Sequence, residues 1–588
     1  MHDRAELNGL IRQLELLRSE MVRAEAAGRS EIEQVSPEHT ASAKNLLHYM
    51  ALRRHDIRDL QLHLASLGLS SLGRTESRVI DALQGVLNIL VKLAGNESGL
   101  PDAGESIPEL RNGQNLLQAK TEALLGPAPE DRRVRIMVTM PPEAATDYDL
   151  VLKLLLNGMN CMRINCAHDG PEAWSNMIQN LRRAQKETGK WCKVAMDVAG
   201  PKLRTGPIEP GPCVLKYRPK RDTYGRVESP ARIWLTPADD PEIPPSPAAS
   251  VPVPGKWLSQ LKAGSLVRFT DARGANRSMK VEGACGSSRW AEALQTAYLT
   301  PRTVLTAEED FEAESSGAGS ACIGAIPPTS QTLRLNTGDR LVLTPSAELG
   351  KPAEYDADKN LIGPARIAVF PAEFFDYVRA GEPIWFDDGR IGGTIASVAP
   401  DEVVVEITQA RPSGEKLGAE KGINVPETNL CLPSLTPEDL KNLCFIVEHA
   451  DMVGYSFVRS EEDVQELQAR LAELNGQHLG IILKIETRKG FDNLPRLLVA
   501  AMRTRAVGVM IARGDLAVEC GYQRLAEVQE EILWICEAAH MPVIWATQVL
   551  ESLAKNGIPS RSEITDAAMG ERAECVMLNK GPYIVEAV

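Results

Sequence analysis

Eight short apolar runs, each closed by polar or charged residues and separated by stretches of helical periodicity, leave this chain few folds. They read "VRIMVT" (134–139), "NCMRIN" (160–165), "KVAMD" (193–197) and, after a long interruption, "DMVGYSF", "GIILKIE", "VGVMIA", "PVIWAT" and "CVML". Strands that are continuously apolar, not alternating, must be covered on both faces, as in a parallel sheet flanked by helices. The helices between them carry their own punctuation. Two stop at Gly158 and Gly189, as C-terminal caps do. Thr436-Pro437-Glu438-Asp439 supplies a capping residue, a first-turn proline and an acid at the third position, and Ser460 precedes three acids in the same way. Eight such units favour a closed barrel over an open doubly wound sheet. The expected class is α/β, a (β/α)8 TIM barrel.

At 588 residues the chain is too long for one core and predicts roughly three or four domains. Residues 1–130 read as an N-terminal α-helical bundle and linker: Leu7, Leu10, Ile11, Leu14, Leu17 and Met21 recur at helical spacing, and "ESRVIDALQGVLNILVKLAG" repeats the pattern. A polar linker, "NESGLPDAGESIPELRNG", follows. His48, His55 and His63 are too far apart for one metal and are expected on a solvated helix face. The barrel begins over 131–206 and resumes over 387–588; the residues between, 207–386, are Pro-rich with many short β-like runs and are expected as an all-β domain inserted after the third strand. Loops after barrel strands surround the mouth of the barrel, so such an insertion would act as a lid. Within it "AGSLVRFTDARG" echoes the later "AGEPIWFDDGR". The last residues, "YIVEAV", fall where an eighth barrel helix should begin, so that helix is not expected within the chain.

A net charge of -14 argues against a nucleic-acid partner. Any anion must be held by local cations. The eleven cysteines form no Cys-x-x-Cys pair and no metal-type spacing, which favours free thiols in a reducing compartment. No run reaches the length of a membrane span and "MHDRAELNGL" is no signal peptide. The expectation is a cytoplasmic protein without a membrane partner.

The polar strand ends are Thr139; Arg163 and Asn165; Asp197; Ser456; Lys484 and Glu486; Arg513 and Asp515; Thr547; and Asn579. On a barrel they converge on one face. Residues two apart in a strand point the same way, so Lys484 shares a side with Glu486 and Arg163 with Asn165. One such pair alone reads as a rim salt bridge; the repetition around the barrel favours a site. Glu486 and Asp515 suit a divalent, oxygen-loving ion such as Mg²⁺ that keeps positions open for substrate oxygens. Arg163, Arg204, Lys484 and Arg513 then supply cations for an anionic substrate. The combination suggests phosphoryl transfer, where catalysis is chiefly positioning and charge neutralisation. No P-loop stretch occurs. The amides near Gly514 and Asp515, opening "ARGDLAVE", offer a helix terminus for a carboxylate or phosphate.

These motifs resemble the pyruvate kinase family. The likeness covers 134–206 and 384–588 and rests on "VRIMVTMPPEA", "GMNCMRINCAHDG", "MDVAGPKLRTG", "IWFDDGRI", "KGINVPETNLCLPSLTPEDL", "LKIETRKG", "VMIARGDLAVE", "PVIWATQVLES" and "PSRSEITDAA", in the family's order and with its insertion point. The resemblance implies transfer of a phosphoryl group from phosphoenolpyruvate to ADP, giving pyruvate and ATP, with Mg²⁺ or Mn²⁺ on Glu486 and Asp515. It implies Lys484, Arg163 and Thr547 as catalytic residues: Arg163 holding the phosphoryl group, Lys484 stabilising it and the enolate, Thr547 on the proton-delivery side. Ala512, Gly514 and Asp515 would complete the substrate site. Asn165 and Asp197 would line a monovalent-cation position, and Thr139, Pro142, His168, Arg204, Asp388 and Lys421 would face the nucleotide. A homo-oligomer is compatible with it.

Where the family usually has "GPE" this chain has "GPK", and Ala167 replaces a serine that helps ligate K⁺. Lys202 would then supply the charge that K⁺ otherwise brings, and K⁺-independent activity is expected. The "SGET" after the eighth strand reads "NKGP" from Asn579 to Pro582, "MPPEA" replaces a glycine-containing turn, and the family's C-terminal effector domain is not expected in the chain. Two other readings stay open, a metal-dependent barrel lyase or aldolase on pyruvate-type enolates and a catalytically idle regulatory homologue. The clamp residues Lys421 and Arg204 speak against the first, and retention of Arg163, Lys484, Glu486, Asp515 and Thr547 against the second.

Overall fold

The computed structural model describes residues 4–95, 112–308, 319–358 and 360–588; most of the expected polar linker lies outside them. Eight parallel strands form a closed barrel: β1 (Arg135–Thr139), β2 (Cys161–Asn165), β3 (Lys193–Val198), β4 (Met452–Tyr455), β5 (Gly480–Ile485), β6 (Val507–Ala512), β7 (Val543–Val549) and β8 (Cys575–Leu578). Closure is made by β1 against β8, with Arg135 opposite Cys575 and Val138 opposite Leu578. The TIM-barrel expectation holds, because runs such as "VGVMIA" bury every residue and so need helices outside and side chains inside.

Local signals act as their chemistry dictates. Thr436 and Ser460 close capping boxes with Asp439 and Asp463, and Gly158 and Gly189 end their helices with φ of 116° and 69°. Asp439 also accepts from the amides of Ala199 (2.8 Å) and Gly200 (3.2 Å), tying down the loop that leaves β3.

The chain divides into two compact units. The first comprises Met1–Thr205, Leu335–Ser346 and Ala368–Val588, the second Gly206–Arg334 and Ala347–Ile367. The second unit has a seven-stranded sheet and its own apolar core, including Ile233, Leu235, Val251, Val267, Val281 and Leu305. Its limits differ from the expected lid over 207–386. Arg340–Thr344 pairs with Glu402–Gln409, and Pro383–Phe386 with Ile391–Ala399, in a second sheet belonging to the barrel's unit. The barrel proper therefore resumes only at β4. The echoed segments share a local design: Gly264 and Gly381 (φ 93° and 95°) precede strands, and Gly274 and Gly389 (φ 78° each) turn after them.

The helices α1 (Arg4–Ala27), α2 (Thr40–Leu52), α3 (Arg58–Ser66), α4 (Val79–Leu93) and α5 (Asn112–Leu125) lie in the barrel's unit and not in a domain of their own. Asn45 on α2 donates to Ala538 O (2.8 Å), and the Ser36 amide to Met502 O (2.9 Å). At the end of α5, Leu124 closes the bottom of the barrel. A Cβ on Gly480 or Gly508 would stand 2.4 or 2.5 Å from its methyls, so these glycines, first in β5 and second in β6, make its socket. The three histidines do not share a solvated helix face. His48 on α2 is buried against Glu25 (3.0 Å), His55 between α2 and α3 bonds Glu20, and only His63 on α3 is exposed. Carboxylates on α1 hold the first two inward, which spacing along α2 and α3 does not reveal.

Candidate active site

At the C-terminal ends of β2, β3 and β5 a buried charge network takes shape. Arg163 donates through Nε (2.9 Å) and Nη2 (2.7 Å) to Asp197 Oδ2, and through Nη1 to Thr139 Oγ1 (2.9 Å). Lys484 Nζ meets the same Asp197 oxygen at 3.3 Å, Glu486 Oε1 at 3.1 Å and Ser456 Oγ at 2.7 Å. Burial alone would raise the Asp197 carboxyl, but the charges of Arg163 and Lys484 outweigh it and hold it below the usual range. Burial works against the Lys484 ammonium, yet Glu486 and Asp197 keep it charged and push its pKa up. Glu486 is pushed up, first by burial and then by Asp515, against the opposing charge of Lys484. Asp197 Oδ1 is buried and has no hydrogen-bond partner among the described residues.

Glu486 keeps its second oxygen on the amide of Phe457 (2.7 Å), a residue at φ 55°. One strand over, both oxygens of Asp515 accept from Lys202 Nζ at 2.9 Å. Asn424 reaches Asp515 Oδ1 at 3.4 Å and Glu519 Oε1 at 3.1 Å, and burial pushes the Glu519 carboxyl up to about 7. Among the described residues no three His, Cys, Asp or Glu side chains gather as a metal cluster. Glu486 and Asp515 by themselves are hard oxygen donors at adjoining strand ends, a donor set that fits an ion keeping most of its shell for water and substrate.

Two expected roles are corrected. Arg513 is not a free cation: its guanidinium binds Asp566 with both Nη atoms, Ala546 O through Nε (2.8 Å), and lies 4.7 Å from the Trp545 ring. Asp566 was not foreseen, since it lies 53 residues along the chain. The amide of Gly514 is engaged too, donating to Thr547 Oγ1 at 2.9 Å, so it does not point free for an anion. Ala512 caps that helix without a side-chain bond. Thr547 sits at φ 60°, followed by Gln548 at 55°. A β-branched residue there is strained and is held by its surroundings.

The residues expected to face a nucleotide fall into two groups. Of these, Thr139 and His168 line a cavity of about 260 Å³ together with Arg163, Asn165, Glu551, Lys555, Asn579 and Lys580. Burial, then Lys580 and Arg204, hold the His168 imidazole below its ordinary pKa. Arg204 and Lys421 lie on the second sheet and its connections, Arg204 donating to Glu420 O (3.0 Å) and Lys421 pairing with Asp387 (2.9 Å). Asp388, at φ 55°, accepts from Tyr522 through its carbonyl (3.1 Å). Pro142 opens the 3-10 turn after β1 and is not among the cavity's lining residues. Lys202 contacts Asp515, whereas Asp197 is served by Arg163 and Lys484, and Asn165 Oδ1 accepts from the Ala167 amide at 3.2 Å.

The family model for the pyruvate kinase barrel domain matches residues 131–220 and 326–588. The chain belongs to the pyruvate kinase family. Among curated pyruvate kinases it is 32% identical to that of Clostridium acetobutylicum over 265 residues, covering 43% of this chain and 54% of the relative. It is 36% identical over 218 residues to the pyruvate kinase of Hypocrea jecorina (36% of this chain, 39% of the relative) and to pyruvate kinase PKLR of Rattus norvegicus (36% of each). The chain thus spans about half or less of the length of these pyruvate kinases. Residues 1–130 and 221–325, holding α1 to α5 and most of the second unit's sheet, lie outside the family match.

Sequence reasoning missed Asn424, Glu519, Glu551, Lys555 and Lys580. Glu519 had a signal, standing one helical turn after Asp515. Asn424 had none, because its reach depends on how a two-residue strand, Ile423–Asn424, lies beside Trp385 and Phe386.

Proposed function

We propose that the protein is a pyruvate kinase, transferring the phosphoryl group of phosphoenolpyruvate to ADP in the glycolytic step that yields pyruvate and ATP. One observation carries the reading: Lys484, buried, is kept charged and centred between Ser456, Asp197 and Glu486 beside Arg163. A cation held that firmly in a low-dielectric site stabilises negative charge developing on a transferring phosphoryl group or an enolate without having to reorganise. Arg163, oriented by Asp197 and Thr139, presents the second cation. Thr547, fixed by the Gly514 amide, keeps its hydroxyl on the proton-delivery side.

Glu486 and Asp515 would hold Mg²⁺, which supplies Lewis-acid charge to the substrate's oxygens when bound. Both substrates are polyanions, so cations must outweigh carboxylates before they can share one pocket. The cavity between Arg163, His168 and Lys580, with Arg204 and Lys421, suits the nucleotide. Lys202 makes K⁺ dispensable in this reading. The free state of all eleven cysteines favours a cytoplasmic enzyme, and among the described residues no helix is long and apolar enough to cross a membrane.

A coupled pyruvate assay with Mg²⁺, run with K⁺ and with a larger organic cation at equal ionic strength, tests this. Wild type should turn over in both media, and Lys484→Met should lose about 10³-fold in rate, the upper scale for removing one charge-stabilising group. Equal turnover by both proteins would remove Lys484 from the mechanism. Failure of wild type would favour the idle or lyase readings.

A further inference from the structure

Charge at the two carboxylates is already balanced by the chain itself. Glu486 has Lys484 at 3.1 Å, and Asp515 has Lys202 on both oxygens at 2.9 Å. The Lys202 ammonium is steered to that place. Its Nζ lies 5.6 Å from the centre of the Phe457 ring, and its stem crosses Gly422, where a Cβ would stand 2.9 Å from Lys202 Cε. Gly200, at φ 70°, lets the loop pass against Ser456 and Phe457, where a Cβ would meet Ser456 O at 3.0 Å. Asp439 clamps the same loop through the amides of Ala199 and Gly200.

A divalent ion arriving at Glu486 and Asp515 would add two positive charges beside two ammonium groups, and one of them must give way. Lys484 is tied by three partners and is 8% exposed. Lys202 is 20% exposed, and its ion pair among the described residues is with Asp515. Lys202 is the group that yields.

We propose that Lys202 is a resident counter-ion of the metal position: it neutralises Asp515 while the metal is away, competes with the metal for that carboxylate, and so sets how tightly the chain takes up a divalent ion. Once displaced it stays tethered at the same pocket, where an anionic substrate meets it, so metal uptake and anion uptake are coupled through one side chain. The proposal rests on the reading of Glu486 and Asp515 as metal ligands.

The test uses Mn²⁺ alone as probe on the full chain without substrate, read by electron paramagnetic resonance of the free ion and by calorimetry. Lys202→Gln should bind Mn²⁺ about tenfold more tightly than wild type, the scale of one contact, while Lys202→Arg stays near wild type. Lys441→Gln, an exposed lysine paired with Glu438, controls for net charge and should change nothing. Without metal, Lys202→Gln should melt lower than wild type and regain more on adding Mn²⁺, because its two carboxylates then lack one cation. Lys202→Met is the second neutral variant if Gln does not fold. Equal Mn²⁺ affinities for wild type and the neutral variants would overturn the proposal and leave the metal site standing. No Mn²⁺ binding by any protein, or binding unaffected by Asp515→Asn, would remove the metal reading and this proposal together.

Discussion

Gly454 on β4 lies so close to Asp197 on β3 that no side chain fits between them: a Cβ built on Gly454 would stand 2.1 Å from Asp197 Oδ1. The carboxylate that orients Arg163 and Lys484 therefore owes its position to a missing methyl on the neighbouring strand. Gly454→Ala should cost about 1–3 kcal/mol of stability through overpacking. Activity should fall further than stability, because both cations lose their common partner. Thermal melts with the coupled assay on the folded variant check this; a variant with normal turnover would show that Asp197 can move without consequence.

Asp566 is bound to Arg513, which braces the carbonyls of Ala546 and Thr547. Removing it leaves a buried guanidinium unpaired. Asp566→Ala should lose about 3–5 kcal/mol, the cost of breaking a buried pair from one side, and loosen the strained backbone at Thr547. Urea titration measures the first, and hydrogen exchange at β7 the second. Unchanged stability would mean that water replaces the carboxylate.

Glu574, which accepts from the Val543 amide at 2.9 Å, has its carboxyl pushed up by burial from 4.5 to about 7. It is protonated in folded and unfolded chains alike below pH 4.5, and the stability this secures is lost as pH rises through about 7. Glu574→Gln should therefore be more stable than wild type at pH 8, by about 1–3 kcal/mol, and nearly equal to it at pH 4.5. Melting curves across that window would show parallel profiles if the carboxyl titrates normally.

Lys120 on α5 gives the opposite slope. Its ammonium donates to Ser42, whose Oγ lies 2.9 Å from His540 Nδ1, and burial lowers its pKa from 10.5 to about 7. Below pH 7 both states carry the proton and the folded chain bears the full burial cost. Between 7 and 10.5 only the unfolded chain holds it, so stability rises with pH there. Lys120→Met should raise the melting temperature most below pH 7 and least near pH 10. A gain that does not vary with pH would indicate a packing effect instead.

What was legible in the sequence follows from what is local. The eight strands could be read because each is a continuous apolar run, and the helix starts because Thr436 and Ser460 cap through residues three positions away. The polar tips of the strands could be read too, since a barrel gathers them on one face whatever their partners. Partnership itself could not. Lys202 and Asp515 are 313 residues apart and Arg513 and Asp566 are 53 apart, and periodicity says which face a side chain takes, not which charge it will meet there.

The amino-acid sequence by itself determined the barrel, its interruption after β3 and the chemical kinds of residue at its mouth. Only the tertiary structure decided that Arg513 is a brace, that Lys202 sits on Asp515, and that α1 to α5 pack within the barrel's own unit. The reason is range. Hydrophobic period and capping act within a few residues, whereas ion pairs and close packing are chosen once closure brings distant strands within a few ångströms and removes the water that would otherwise screen them.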